Sequence, residues 1–189
     1  MSSVLTARPI VAIALMAALT AVGAWLRIPI PYIPVTLQMS FVYLSGVWLG
    51  SRGGALAQLV YLGAGLMGFP LFAKGGGLHY VFEPSFGYIA GFIPAAYVSG
   101  LITQRSNAYA GYIGAAVASL AMVYLPGLVW LHVVLNTFLG QETTLGATIA
   151  LGLSALPKDL TLIPINAYLG KQIKGRLLLL SSNRSERVP

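Results

Sequence analysis

From Pro9 to Leu26 the chain reads PIVAIALMAALTAVGAWL, without one charged side chain. Roughly 20 such residues cross the ~30 Å of bilayer hydrocarbon as a helix. In lipid every backbone N–H and C=O must find its partner inside the protein, so only helices or closed barrels span it. Further apolar runs follow, and the whole chain is 57% hydrophobic and 8% charged. Soluble domains carry about 25% charged residues. This chain is therefore expected to be an all-α integral membrane protein rather than a water-soluble one.

The runs predict six transmembrane helices, roughly 9–27, 38–50, 54–69, 85–104, 108–134 and 145–170, in a single domain of residues 1–189 with a cytoplasmic tail at 171–189. Pro9 suits a helix start, where its missing N–H costs nothing. Three prolines in IPIPYIPVTLQ (28–38) cannot continue a helix. That segment predicts a stiff apolar loop, SRGG (51–54) a tight turn, and the glycine run 75–77 flexible backbone.

Charge tests the count. With six crossings, Arg8, Arg52, Arg105, Lys171, Lys174, Arg176, Arg184 and Arg187 fall on one side, eight of the eleven basic residues. Arg27 and Lys74 fall on the other. Cytoplasmic loops carry the Lys/Arg excess, so both termini are expected in the cytoplasm. The same distribution explains the net charge of +7 without nucleic acid as a partner. AVGA (21–24) imitates a signal-peptidase site, but a polytopic chain needs no cleavable signal, and losing the first span would break the charge pattern.

Motifs for chemistry are sparse. There is no G-x-x-x-x-G-K-[ST] stretch for ATP, no cysteine, and no second ligand spaced to join His79 or His132 at a metal. Of four carboxylates, Glu186 lies in the tail and Glu142 in a loop. An enzyme is not expected, nor a cofactor.

The exception is ALPKDLTLIPINAYLG (155–170), where Lys158 and Asp159 interrupt the last apolar segment. An ionisable group at mid-membrane costs at least ~2.5–3.5 kcal/mol, so it persists beside a partner or a cavity. The two stand about 100° apart on a helix and do not stack as an i,i+4 pair. Asp159 shares a face with Asn166, while Pro157 and Pro164 free the carbonyls of Leu153 and Leu160. A charge pair stapling helices is one reading; a site for a polar small molecule is favoured, because prolines, amide and hydroxyl gather there. Gln38, Lys74, His79, Tyr80, Glu83 and Tyr88 lie in or beside the outward loops, with Phe86 starting the fourth span and Tyr43 inside the second. Aromatic walls with a few polar groups describe a pocket for a small, largely apolar ligand. Ala14 and Ala18 put small residues on one face of the first span, as do Ala17 and Ala21. Such faces pack helix to helix in membranes, and docking to another membrane protein competes with internal packing.

In order, PVTLQ (34–38), GFPLFAKGGG (68–77), EPSFGYIAGF (83–92), YLPGLVWL (124–131) and LPKDL (156–160) resemble the BioY family, over about residues 10–170. These are the biotin-specific S-components of energy-coupling factor (ECF) transporters. The resemblance implies a six-helix S-component fold in a bacterial plasma membrane, binding biotin from outside with high affinity. It implies as partners a transmembrane T-component, met through Ala14 and Ala18, and two ATPase subunits that supply the energy. Asp159 would accept from the ureido ring, with Gln38, Lys74 and Tyr88 lining the pocket. The chain departs from the family pattern in having Leu162 where a lysine commonly follows the Asp, Lys158 before the Asp, and Glu83 where glycine is common. Whether Lys158 or Lys74 meets the biotin carboxylate stays open, and an ion-coupled carrier of another vitamin is the alternative function.

Overall fold

The computed structural model describes residues 7–30 and 32–185, with side chains for 9–30 and 32–176. Pro31 of the proline loop and Arg187 lie outside the described residues, as do the ends of the expected 1–189 domain and of its tail. Helix α1 (Ala7–Trp25) leads into a two-stranded ribbon, in which β1 (Arg27–Ile28) pairs antiparallel with β2 (Val35–Thr36). The ribbon is where the prolines stop the helix: Arg27 stands opposite Thr36 and Ile28 opposite Val35.

Helix α2 (Gln38–Leu66) is a hairpin. Gly50 has φ 75° and ψ 176°, a left-handed conformation that only glycine adopts without strain. The chain folds back there, so that Gln58 Nε2 donates to Ser45 Oγ at 3.1 Å and Gln38 Nε2 to the Tyr61 hydroxyl at 2.7 Å. The tight turn expected at 51–54 occurs one residue earlier, and Ser51, Arg52, Gly53 and Gly54 are helical. One left-handed residue suffices to turn the path. Gly46, Gly54 and Gly100 make the close approach workable: a Cβ on Gly46 would fall 2.1 Å from the Ala96 carbonyl oxygen, and one on Gly54 2.6 Å from Gly46 Cα.

The fourth expected span divides into α3 (Phe86–Ala90) and α4 (Phe92–Arg105) at Gly91. Pro94 has no N–H for the Ala90 carbonyl, which loosens the turn. Helix α5 (Tyr109–Val133) tolerates Pro126 and widens into a π-turn, Val134–Phe138. The sixth expected span also breaks, into α6 (Leu145–Gly152) and α7 (Leu156–Ser185), bent by 42°. Pro157 leaves the Leu153 carbonyl unpaired within any continuous helix. Helix α7 then runs through the expected tail as far as Ser185. Its Lys174 ammonium donates to the Thr103 carbonyl near the end of α4, where a cation meets the negative end of a helix.

Phe86–Arg105 and Tyr109–Phe138 are each long and apolar enough to cross a membrane; the bent α6–α7 pair makes a third if it is one span. The bundle packs through small side chains. Ala57, Ala95, Ala96 and Ala115 are wholly buried, Ser99 Oγ reaches the Tyr43 carbonyl at 3.2 Å, and Ser119 Oγ the Ala95 carbonyl at 3.0 Å. Without a hydrophobic drive between helices, close packing and such bonds hold them together.

Gly46→Val is expected to lower stability by about 1–3 kcal/mol through overpacking, read as a drop in unfolding temperature in detergent. Gly63→Ala, which meets nothing within 4 Å, should leave it unchanged.

Candidate functional site

Beyond the α6–α7 break, the first turn of α7 carries Lys158 and Asp159 into the bundle. Asp159 is 6% exposed. Its Oδ2 accepts from the Tyr124 hydroxyl of α5 at 2.7 Å, while Oδ1 lies 2.5 Å from Lys158 Nζ yet accepts no well-aligned hydrogen bond. At a 100° helical separation the two do not stack as an i,i+4 pair, yet they meet. The lysine stem is flexible enough to bring its ammonium back to the adjacent carboxylate. The same ammonium donates to the Thr36 carbonyl of β2, so it joins α7 to the ribbon.

These groups border a cavity. The ribbon supplies Ile33, Pro34 and Thr36 as its roof; Gln38 and Met39 open α2 beneath it. The glycine-rich loop adds Ala73, Tyr80 and Ser85, and the span after it Tyr88, Ile89 and Phe92. Val123 and Tyr124 of α5 and Ala155, Lys158 and Asp159 complete the wall. The cavity encloses about 550 Å³ of atom-free space, its mouth included.

Neighbouring bonds fix the walls. Tyr88 donates to the Gly152 carbonyl at 2.9 Å and sets its ring edge-on to Tyr124, with centroids 5.5 Å apart. Gly127 makes room for that ring, since a Cβ there would lie 2.5 Å from it. Gln38 is engaged at both ends: Oε1 accepts from Thr36 Oγ1 at 3.1 Å, and Nε2 donates to Tyr61, whose hydroxyl turns to the Leu71 carbonyl at 3.3 Å. Tyr80 packs on Phe72 at 4.5 Å and shares a hydrogen bond with Ser85 Oγ at 3.2 Å. Burial pushes its hydroxyl above the ordinary phenol value, so it remains a neutral donor. The glycine run is not loose backbone: Gly75 and Gly77 take φ of 122° and 110°, and Gly77 N bonds the Gly65 carbonyl at 2.8 Å.

Of the residues singled out from the sequence, Asp159, Lys158, Gln38 and Tyr88 meet at this cavity. Tyr43 and Asn166 line a smaller hollow that shares Asp159 and Met39 with it. Lys74 pairs with Glu83 at 2.9 Å and borders a separate hollow with Trp25 and Arg27. Phe86 sits edge-on to Trp130 with centroids 6.1 Å apart and does not line the cavity. Ala14 and Ala18 are exposed on the outer face of α1, whereas Ala17 and Ala21 are buried. Sequence reasoning missed Tyr124, Thr36, Met39, Ser85 and Phe92. For Tyr124 a signal existed: a buried phenol inside an apolar helix needs a partner.

Chemically, the site offers a carboxylate, an ammonium paired with it and aromatic sides. It can accept N–H donors from a planar polar group, and it can meet an anion. Lys158→Met is expected to lower stability by about 1–3 kcal/mol, because it strands a buried charge. Lys158→Met/Asp159→Asn should recover most of the loss; both are read by thermal unfolding at neutral pH.

Comparison with known proteins gives three consistent results. The model of the BioY family matches residues 1–178. The chain is 40% identical over 167 residues to the probable biotin transporter BioY of Lysinibacillus sphaericus, covering 87% of this chain and 85% of that one. It is 35% identical over 176 residues to the biotin transporter BioY of Rhodobacter capsulatus, covering 88% and 93%. Its fold is similar to a crystal structure of the S-component for biotin from an ECF-type ABC transporter, with TM-score 0.78 and 20% identity over 93% of this chain and 95% of that one.

Proposed function

The chain belongs to the BioY family, and from that premise we propose that it is the high-affinity biotin-binding membrane subunit of an ECF-type vitamin uptake transporter. The observation that carries the reading is Asp159: a buried carboxylate on a cavity wall, bonded by Tyr124 at Oδ2 and ion-paired with Lys158 at Oδ1. Biotin presents a fused ring with two N–H donors and one carbonyl, an apolar arm and a carboxylate. The ring N–H groups suit Asp159, and charge-assisted bonds of this type are the stronger ones. Tyr88, Phe92 and Tyr124 supply aromatic sides, and Lys158 supplies the cation at the cavity; Lys74, paired with Glu83 in another hollow, is the weaker candidate.

In this reading the whole chain, 1–189, is one domain in a bacterial plasma membrane. It crosses six times, with α1, the two arms of α2, α3–α4, α5 and α6–α7 as the spans and both ends in the cytoplasm. The basic excess supports that orientation. Energy comes from two ATPase subunits through a T-component. The exposed small-residue face at Ala14 and Ala18 is the docking surface for that component, since Ala17 and Ala21 are used within the bundle. The subunit binds and carries; it catalyses nothing.

Calorimetry of the purified protein should give sub-micromolar binding of biotin and none of thiamin or riboflavin; absence of biotin binding in that range defeats the proposal. Asp159→Asn should weaken biotin binding by about 1.5–3 kcal/mol, some ten- to hundredfold. Ala14→Trp should keep the biotin affinity of the parent but prevent co-purification with the T-component and ATPases; intact assembly would remove that docking role.

A further inference from the structure

The short 3-10 helix Leu78–Phe82, in the loop between α2 and α3, has two unlike sides. At three residues per turn, Leu78 stands over Val81 and His79 over Phe82, while Tyr80 points the third way. Tyr80 is buried and lines the cavity beside Ser85. Leu78 is 74% exposed and Phe82 57%. Phe82 packs edge-on against Phe138, with ring centroids 5.2 Å apart, and Phe138 ends the apolar segment Tyr109–Phe138 that is long enough to cross a membrane. Leu125, Val129 and Val133 are exposed along that segment, each four residues on from the last. The wider π-turn Val134–Phe138 then carries the same face on to Phe138. Trp130 fastens the short helix from beside this face: its indole N–H donates to the Val81 carbonyl at 3.1 Å, and its ring stands against Phe86.

We infer that Leu78–Phe82 is an interfacial anchor, with Leu78 and Phe82 seated in the boundary between headgroups and acyl chains of the outer leaflet. Three observations carry it. The exposed apolar face of α5 continues through Phe138 onto Phe82, so lipid that covers the first reaches the second. Aromatic rings, which collect at that boundary, frame the short helix on α5. A contiguous exposed apolar patch of this kind marks a membrane contact. Irregular backbone does not enter lipid hydrocarbon, which keeps the loop at the boundary and no deeper. The exposed His79 and the Lys74–Glu83 pair suit the headgroup level. Because Tyr80 is the other side of the same short helix, one wall of the cavity is steadied by the bilayer. The immersion rests on the membrane topology proposed above, and its bearing on the ligand rests on the biotin reading.

The chain has no cysteine, so a single introduced one carries a spin label unambiguously. Leu78→Cys and Phe82→Cys are labelled in vesicles of phosphatidylethanolamine and phosphatidylglycerol, beside Val129→Cys in the α5 span and Arg105→Cys at the end of α4. Collisions with molecular oxygen relative to a water-soluble nickel chelate should be several-fold higher at 78 and 82 than at 105, and should approach the value at 129. A ratio at either position equal to that at 105 would place the loop in water and overturn the inference. Shielding from both reagents would also overturn it, since protein and not lipid would then cover the patch. Leu78→Asp, at a site exposed enough to leave the fold intact, should release biotin several-fold faster from the vesicle-bound protein; an unchanged rate would sever the anchor from the cavity wall. The label readings need no ligand, so they stand apart from any failure of the parent protein to bind biotin, which would remove the proposed function and that coupling with it.

Discussion

A carboxylate held among apolar helices sets the terms for the rest of the molecule. Asp159 persists there because Tyr124 donates to one oxygen and Lys158 stands beside the other. Isolated, such a charge would neutralise or drag water inward. Neither partner satisfies it fully, and that incompleteness is what makes it useful. A carboxylate hydrogen-bonded at both oxygens would be a staple; this one meets a single phenol and a lysine on a cavity wall.

The bundle around it is arranged to hold those partners still. Tyr124 is braced edge-on by Tyr88, which bonds the Gly152 carbonyl where the last span breaks. The break leaves Lys158 and Asp159 in a helical first turn instead of in mid-helix, so their side chains point towards the ribbon and the cavity. Thr36, Gln38, Tyr61 and the Leu71 carbonyl form one line of hydrogen bonds from the ribbon to the glycine-rich loop. The ribbon and the glycine-rich loop are therefore joined rather than separate strands of chain.

Much of this was legible in the sequence, because lipid makes hydropathy and charge blunt but reliable signals. Lys158 and Asp159 stood out because nothing else in that span is charged, and Pro157 and Pro164 marked an interrupted helix. What escaped was contact information. That Tyr124 bonds Asp159 depends on two helices meeting across 35 positions, which no local pattern encodes. Lys74 and Lys158 looked equivalent as cations, and only the fold turns Lys74 to Glu83. The reversal at Gly50 was misplaced for a related reason: four nearby glycines permit a turn, and tertiary packing against Gly100 selects the one that is used. The helical course of 171–185 was missed because its one apolar run, 177–180, is too short to mark a span and lies between polar residues.

The tight reversal at Gly50 has a further consequence, for the lipid rather than the protein. Its arms, 38–49 and 51–66, reach only about 18 Å and about 24 Å at the helical rise, against hydrocarbon of ~30 Å. Such a mismatch is relieved by thinning the bilayer around the short segments, at a fraction of a kcal/mol per ångström. Under the six-span reading proposed above, that flank of the protein would sit in a dimple of thinned membrane, unlike a bundle of full-length spans.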